Sequence, residues 1–368
     1  MAHSRRTRIL IVDDSAVMRS LLRTVISSDP TLEVAGTAAD GASALRAVES
    51  IRPDLILLDV EMPGLDGLET LRTLRGRSDR TPVVMVSAVT HRGARVTVDA
   101  LACGASDYVT KPANQSDRES SLRVFVQDLL PRIQALTVCT LASSPRPAPA
   151  ADPTSQPCST PPAVVVIGVS TGGPAALDIL LSAFPERFPL PVLVVQHMPE
   201  LFTAPLAERL NERCHIRVSE AVEGAPVVPG NIQLARGNWH LEIVSAARVG
   251  SPPTLHLQQG PLENHCRPAV DVLFRSAAAV YGSATLAVIL TGMGSDGLAS
   301  CRIIRGQGGT VIAQDQATSA VWGMPGVVVQ AGLAHRVLPL PAIAPEILRL
   351  ASRATAEARA TAALAAQR

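Results

Sequence analysis

The feature that most constrains the fold is a proline-rich stretch near the middle of the chain. Seven prolines, at positions 145, 147, 149, 153, 157, 161 and 162, are interleaved mainly with alanine, serine and threonine. Such a stretch buries little apolar surface and forms an extended, semi-rigid linker. We therefore predict a first domain at residues 1–130, a linker at 131–162, a second domain at 163–355 and an alanine-rich tail at 356–368.

Both blocks alternate short apolar runs with stretches of helical periodicity. In the first block these runs lie at residues 9–12, 32–38, 55–58, 82–86 and 107–109, and in the second the clearest lie at 163–167, 191–195 and 286–290. The alternation is typical of parallel sheets covered by helices. We predict an α/β fold with a flavodoxin-like first domain and a second doubly wound parallel domain. Ligands of such sheets bind beyond the carboxyl ends of the strands.

The first block places polar side chains directly after its predicted strands. Asp13 and Asp14 follow the first strand, Asp59 follows the third, and Ser87 and Lys111 follow the fourth and fifth. Clustered carboxylates favour a bound cation, and hard oxygen ligands suit Mg²⁺. A carboxylate beside Mg²⁺ can attack a phosphoryl group whose oxygens a hydroxyl and an ammonium bind. Each position alone also fits a helix cap or a solvated surface residue, but the five together favour a phosphoryl site.

Four segments of this block resemble the receiver domain of two-component response regulators over roughly residues 7–125: ILIVDDS, LILLDVEMPGLDGLETL, VVMVSA and DYVTKP. The resemblance implies a phosphorylation site, a Mg²⁺ site, a phosphoryl-binding pair and an aromatic switch residue. Asp59 would be the phosphorylation site, and Asp13, Asp14 and Asp59 would bind Mg²⁺. Ser87 and Lys111 would bind the phosphoryl group, and Tyr108 would be the switch residue. The implied phosphodonor is a histidine kinase similar to CheA.

A glycine-rich turn follows the first predicted strand of the second block, with the sequence GVSTGGP at residues 168–174. The glycines allow a sharp strand-to-helix turn, and proline is favoured at the first position of a helix. The segment matches G-x-S-x-G, the turn that lifts a nucleophilic serine above a sheet, which makes Ser170 a candidate nucleophile. A helix cap beside flexible glycines is the alternative interpretation.

The next predicted strand ends just before His197. A histidine in this place can also be a structural hydrogen-bonding residue, and His240, His256 and His265 are alternative bases. We favour His197 because the consecutive βα unit places it on the same rim of the sheet as Ser170.

A third strand of the second block runs into a loop that contains G-x-G-x-x-G at Gly292, Gly294 and Gly297, and Asp315 follows 18 residues later. This pattern also occurs in dinucleotide-binding proteins. Asp296, however, lies inside the loop that would hold the pyrophosphate, and one anion repels another. The loop is better suited to orienting an imidazole through Asp296 while neighbouring N–H groups face a developing oxyanion.

The order Ser170, His197, Asp296 matches none of the three familiar serine-hydrolase arrangements, which argues against kinship with the α/β-hydrolases. Four segments of this block nevertheless resemble the catalytic domain of the CheB family of chemotaxis protein-glutamate methylesterases over roughly residues 160–350: VIGVSTGGPAAL, VVQHMP, RPAVDVLF and ILTGMGSDG. The resemblance implies that these three residues are catalytic and that Met293 and Thr171 help to hold the oxyanion. One departure is Ala269, where the family usually has serine.

The two resemblances together imply a phosphorylation-activated serine hydrolase. Its substrates would be glutamate γ-methyl esters on chemoreceptors, and it would also deamidate receptor glutamines, in the adaptation step of chemotaxis. The hydrolase would need no cofactor, and the unphosphorylated receiver would cover the catalytic cleft. Two other function classes remain open at this point: a dinucleotide-dependent oxidoreductase using the loop at 292–297, and a non-catalytic adaptor.

Composition excludes some partners. The net charge is +1 and aromatic residues make up 2% of the chain, so neither a strong positive field nor a set of base-stacking rings is available for nucleic acid. The six cysteines form no C-x-x-C pair, and no apolar run is long enough for a signal peptide core or a membrane span. We expect a cytoplasmic monomer that is not inserted in the membrane.

Overall fold

The computed structural model describes residues 5–112, 118–141, 160–246, 248 and 250–366. The chain divides into two compact units, Met1–Arg146 and Pro147–Arg368. Each unit has its own sheet.

The first unit contains a five-stranded sheet in which all neighbouring strands are parallel. The strands are β1 (Thr7–Val12), β2 (Leu32–Ala38), β3 (Leu55–Asp59), β4 (Val83–Ser87) and β5 (Asp107–Thr110), and their spatial order is β2-β1-β3-β4-β5. The helices are α1 (Ala16–Ser27), α2 (Gly41–Ile51), α3 (Gly67–Gly76), α4 (His91–Ala102) and α5 (Arg118–Leu141). This is the flavodoxin-like order, so the predicted fold of the first block is confirmed.

Local chemistry explains where these elements begin and end. The residues of β3 and β4 are all buried, as expected for central strands covered by helices on both faces. Four helices begin at a side chain that accepts a backbone N–H of the first turn: Ser15, Asp40, Asp66 and Thr90. Because these caps follow the strands closely, they bring the helix N-termini to the carboxyl edge of the sheet.

Helix α5 corrects the predicted start of the linker. The helix continues to Leu141, and Leu129, Ile133 and Leu136 are buried along it. Residues 131–141 are therefore helical, and the predicted linker 131–162 begins too early. The apolar spacing of those three residues continues the helix beyond Pro131, which lies within it. Most of the rest of the predicted linker lies outside the described residues.

The second unit contains a seven-stranded parallel sheet. Its strands are β6 (Val164–Val169), β7 (Val192–Gln196), β8 (Arg217–Glu220), β9 (Asn231–Leu234), β12 (Thr285–Ile289), β13 (Thr310–Gln314) and β14 (Arg336–Leu338), in the order β14-β13-β12-β6-β7-β9-β8. A separate antiparallel hairpin, β10 (His240–Val244) with β11 (Thr254–Gln258), was not predicted.

The helices of this unit are α6 (Gly173–Ser182), α7 (Glu200–Arg213), α8 (Val270–Tyr281), α9 (Leu298–Gly306), α10 (Met324–Gln330) and α11 (Leu340–Ala366). Helix α11 extends through most of the predicted tail at 356–368. The strand order reverses at β6, because β7 lies on one side of it and β12 on the other. A crevice at the carboxyl ends of strands that flank such a reversal is the usual ligand site of a doubly wound sheet.

Candidate active site

The predicted phosphoryl site lies at the carboxyl edge of the first sheet. Asp13, Asp14 and Asp59 offer carboxylate oxygens that all lie within 4.8 Å of one another. The Lys111 Nζ lies 2.9 Å from Asp13 Oδ2 and 2.8 Å from Asp59 Oδ2. Asp13 and Asp59 are buried, whereas Asp14 is exposed. The structure thus brings together all three predicted metal ligands and the predicted lysine.

Burial and neighbouring charges have opposing effects on the pKa values of Asp59 and Lys111. Burial, helped by the charge of Asp13, raises the pKa of the Asp59 carboxyl to about 6 despite the hydrogen bond and charge of Lys111. Burial acts to lower the pKa of Lys111, but its contacts with Asp59 and Asp13 outweigh it and the net direction is upward. Three converging carboxylate oxygens are a hard donor set, and this set fits a divalent cation.

Ser87 and Tyr108 occupy the neighbouring strands. The Ser87 hydroxyl is buried, accepts a hydrogen bond from Thr97 Oγ1 at 2.9 Å and donates to the Ala88 carbonyl at 3.2 Å. The Lys111 amide donates to the Ser87 carbonyl at 2.7 Å, which ties the two predicted phosphoryl-binding residues together. The Tyr108 ring is buried in this structure, and burial raises the pKa of its hydroxyl.

The second site lies where β6, β7 and β12 end. His197 Nε2 and Asp296 Oδ2 are 2.7 Å apart, and their side chains are 12% and 3% exposed. The His197 amide donates to the Val169 carbonyl at 3.1 Å, and the Ser170 amide donates to the Thr291 carbonyl at 3.0 Å. The three predicted catalytic residues therefore sit on one rim of the sheet, with the imidazole and the carboxylate in direct contact.

Asp296 is held by several donors besides His197. Its Oδ2 accepts the Val270 amide at 2.6 Å, and its Oδ1 accepts the Asp271 amide at 3.0 Å and the Asn264 side-chain amide at 2.8 Å. Val270 and Asp271 begin helix α8, so the carboxylate caps the positive end of that helix. Burial acts to raise the pKa of Asp296, but the hydrogen bonds to His197 and to the two amides produce a net lowering.

The same contacts act on the histidine. Burial acts to lower the pKa of His197, but the hydrogen bond to Asp296 and the contact with Cys266 raise it to about 9. Cys266 Sγ lies 3.6 Å from His197 Nδ1. Because Nε2 is bound to Asp296, Nδ1 is the nitrogen that can accept a proton from a nucleophile.

The loop after β12 packs tightly on the serine. A Cβ added at Gly292 would lie 2.7 Å from Ser170 Cβ and 2.7 Å from Met324 Sδ, so only glycine allows this approach. The Thr291 hydroxyl lies 2.9 Å from the Thr171 carbonyl, to which it donates, and this bond joins the two loops that carry the predicted oxyanion residues Met293 and Thr171. Met293 directly follows the glycine whose added Cβ would meet Ser170.

Contacts of the same loop disfavour a dinucleotide site. Asp296 faces His197 and the start of α8 rather than a ligand. The Asp315 carboxylate, the candidate ribose contact, accepts the Thr318 amide at 3.0 Å and the Thr318 hydroxyl at 2.6 Å. The carboxylate that a ribose contact needs is thus engaged within the protein, and the one inside the glycine loop serves His197 and α8.

The alternative histidines have other contacts. His240 accepts the Ala269 amide at Nδ1 and contacts the Pro261 carbonyl through Nε2, and His256 pairs with Glu223. His265 is exposed in the turn before α8. Among the described residues, His197 is the histidine with a hydrogen bond to Asp296.

Sequence reasoning missed two neighbours of the triad, Asn264 and Cys266. Both lie in the short segment before Arg267 and Pro268, where the sequence gives only an asparagine, a residue that tolerates left-handed backbone, as a signal. Ala269, where the family usually has serine, is the N-cap residue of α8 and makes no side-chain cap. Its side chain is fully buried and presents no surface to a substrate in this structure.

Two features define the class of this protein. The first is a receiver-like sheet with an acidic phosphoryl pocket, and the second is a doubly wound sheet with Ser, His and Asp on one rim. The class is a response regulator whose output domain is a serine hydrolase. Residues 165–347 match the family described as CheB methylesterase, and residues 9–123 match the family described as response regulator receiver domain. The chain belongs to the CheB family.

Relatives and a solved structure agree with this membership. The chain is 49% identical over 355 residues to a Nocardioides protein named protein-glutamate methylesterase/protein-glutamine glutaminase, with 94% of this chain and 96% of that protein covered. A Trichodesmium erythraeum protein of the same name is 48% identical over 349 residues, covering 93% and 98%. The crystal structure of the Thermotoga maritima CheB methylesterase catalytic domain matches 52% of this chain and 100% of that domain, with 43% identity and a TM-score of 0.50.

The receiver family implies a divalent metal site at the acidic cluster and a phosphodonor kinase. Within the described part of the chain, no helix has both the length and the apolar content that a bilayer crossing requires. The cysteines at 103, 214, 266 and 301 are free thiols.

Proposed function

We propose that this protein hydrolyses glutamate γ-methyl esters on chemoreceptors and deamidates receptor glutamines, with Ser170, His197 and Asp296 as its catalytic residues. The names of the relatives support the reaction. The observation that carries the residue assignment is the 2.7 Å contact between His197 Nε2 and Asp296 Oδ2, beside Ser170 at the ends of adjacent strands.

The geometry supports a standard acyl transfer. His197 Nδ1 takes the Ser170 proton as the serine oxygen attacks the ester carbonyl, and the imidazolium then gives that proton to the departing methanol. Water, deprotonated by the same nitrogen, attacks the acyl-enzyme, and the free glutamate and the serine hydroxyl are released. Asp296 stabilises the imidazolium, and the Met293 and Thr171 region supplies N–H donors for the oxyanion. A glutamine side chain would follow the same route with ammonia as the leaving group.

Phosphorylation of Asp59 regulates this activity in our proposal. Asp13, Asp14 and Asp59 would hold Mg²⁺, which would supply positive charge at the phosphorylation site, and Lys111 and Ser87 bind the phosphoryl oxygens. The 2.8 Å contact between Lys111 and Asp59 supports the lysine assignment. The phosphodonor is a histidine kinase similar to CheA, and Tyr108 responds to the phosphorylated state. The unphosphorylated first unit holds the hydrolase at low activity.

The reaction is tested by measuring methanol release from methylated receptor. We expect the wild-type chain to release methanol and Ser170→Ala to lower the rate by at least about a thousandfold with an unchanged circular dichroism spectrum, because the nucleophile is lost. Methanol release by the alanine variant at a rate near that of the wild type would remove Ser170 from the mechanism. Addition of NAD(P)H tests the oxidoreductase alternative, and we expect no change in its fluorescence.

A further inference from the structure

The segment before helix α8 forms a tight turn at residues 263–266. The Cys266 amide donates to the Glu263 carbonyl at 2.9 Å, and the Glu263 amide donates to the Cys266 carbonyl at 3.2 Å. The two central residues, Asn264 and His265, have left-handed φ values of 52° and 63°. Two successive positive φ values define a type I′ turn, and asparagine is one of the few residues other than glycine that favour it.

This turn carries the Asn264 amide to two carboxylates. Asn264 Nδ2 donates to Asp296 Oδ1 at 2.8 Å and to Asp271 Oδ2 at 2.9 Å. Asp271 Oδ1 in turn accepts the amide and the hydroxyl of Ser300 at 2.7 and 2.6 Å. Both carboxylates are buried, although Asn264 itself is exposed at the surface. Both N–H bonds of one side-chain amide are therefore used to bridge two like charges.

The bridge fixes the orientation of the Asp296 carboxylate. Oδ2 contacts His197 and Val270, so the hydrogen bonds at Oδ1 determine whether Oδ2 stays in line with the imidazole. If the Asn264 side chain is removed, the hydrogen bond that remains at Asp296 Oδ1 is the one from the Asp271 backbone amide. The carboxylate could then turn about its Cβ–Cγ bond and weaken its hydrogen bond to His197.

We propose that Asn264 is a positioning residue of the hydrolase, which holds Asp296 in the orientation that aligns His197 for proton transfer. This inference rests on the proposed function of the Ser-His-Asp site. It assigns a role to a residue that makes no contact with the reacting atoms, so its effect should fall on catalysis rather than on substrate binding.

The turn is held by contacts that do not involve the Asn264 side chain. Arg275 of α8 pairs with both Glu263 carboxylate oxygens at 2.8 Å. Arg267 donates to the Gly260 carbonyl at 2.7 Å and to Asn238 Oδ1 at 2.6 Å. Removing the Asn264 amide should therefore leave the turn in place, which makes a clean test possible.

The first test compares Asn264→Gly with His265→Gly. Glycine accepts the left-handed backbone at either position, so both variants keep the turn and carry a similar entropy cost, but only the first removes the bridge. With methylated receptor as substrate, we expect Asn264→Gly to lower kcat by about tenfold to a hundredfold, because a hydrogen bond to a charged group is lost. KM should stay within about twofold of the wild-type value. His265→Gly should stay within about twofold of the wild type.

A second test uses Asn264→Asp, which keeps the shape but replaces the donor by a carboxyl group. When ionised, this carboxyl faces Asp271 and Asp296, with Glu263, Arg275 and His197 nearby, and it cannot donate. When protonated, it can donate to one of the two carboxylates, and the adjacent negative charges of Asp271 and Asp296 raise its pKa. The ratio of kcat for this variant to kcat for the wild type should therefore rise as the pH falls from about 7 to about 5. A purely structural role predicts a ratio that does not change with pH.

The rate at which a fluorophosphonate probe labels Ser170 separates this inference from the proposed function. If the wild type is labelled but does not hydrolyse methylated receptor, the proposed substrate is wrong, and the labelling rates of the variants still test Asn264. Labelling and kcat of Asn264→Gly within twofold of the wild type, at an equal melting temperature, would overturn the inference. If Asn264→Gly melts earlier than His265→Gly, the pH-dependent ratio of Asn264→Asp decides instead, and a flat ratio overturns the proposal.

Discussion

At the scale of single residues, the chemistry of the hydrolase depends on how Asp296 acts on His197. A general base must be neutral to accept a proton, but the contacts of His197 raise its pKa to about 9. The imidazolium is the state that follows proton transfer from Ser170, so the same contacts that stabilise this intermediate also keep the free histidine protonated at neutral pH.

This shift predicts an alkaline pH profile. Because the base is active when neutral, kcat/KM should rise by about tenfold per pH unit below the pKa of His197 and level off near pH 9. Hydrolysis of methylated receptor, measured from pH 6 to 10 at constant ionic strength, checks this. Weakening the contact through Asn264→Gly should move the midpoint down. A plateau that begins near the ordinary histidine pKa of about 6.5 would contradict the assignment.

Gly292 gives a second prediction at this scale. The added Cβ of Gly292→Ala would meet Ser170 Cβ and Met324 Sδ at 2.7 Å, so either the serine or the oxyanion loop must move. A shift of about 1 Å in a catalytic group costs on the order of a hundredfold in rate, and we expect a loss of that size in the labelling of Ser170. Gly306→Ala is the matched control, because nothing lies within 4 Å of its added Cβ. Equal labelling of the two variants would show that the approach of the loop is unimportant.

The three catalytic candidates could be predicted because each follows a buried strand of the same sheet. Asn264 could not, since its role depends on two left-handed residues that turn its amide toward a carboxylate 32 positions away in the chain. No local periodicity encodes such a contact. The position of Ala269 as the N-cap of α8 could not be predicted either.

At the scale of elements, the central strands were predictable and the outer ones were not. The residues of β3, β4, β6 and β7 are all buried, so they form continuous apolar runs. Strand β11 is mostly half-buried, and β14 spans only Arg336–Leu338, so neither has a clear pattern. The extension of α5 to Leu141 was not predicted, although the burial of Ile133 and Leu136 continues the helix beyond Pro131.

Helix α8 offers a test at the element scale. Its N-cap, Ala269, makes no side-chain cap, and the Asp296 carboxylate accepts the first two amides of the helix. Ala269→Ser should supply a further cap and stabilise the second unit by up to about 1 kcal/mol. Thermal unfolding should shift upward by about 2–4 °C for a unit of this size. Methanol release should stay unchanged, and a clear gain in kcat/KM would instead identify this position as a substrate contact.

At the scale of the whole molecule, the proline-rich stretch was sufficient to predict two folded units, because a segment of this composition cannot contribute to a core. The order of the seven strands was not predictable, since short parallel strands can be arranged in several ways that satisfy the same apolar pattern. Strand order matters here because it makes β7 and β12 neighbours of β6 and so assembles the triad.

The two units should differ in their need for a divalent cation, and this difference gives a prediction for the intact chain. The acidic cluster of Asp13, Asp14 and Asp59 belongs to the first unit, whereas the triad uses side chains alone. Acetyl phosphate with Mg²⁺ should raise methanol release by about fivefold to a hundredfold, the range of a typical coupling between two sites. EDTA should abolish this rise but leave the basal rate unchanged, and Asp59→Asn should do the same in the presence of Mg²⁺. Loss of the basal rate in EDTA would show that the hydrolase itself uses a metal, and activation of the Asp59→Asn variant would place the phosphorylated residue elsewhere.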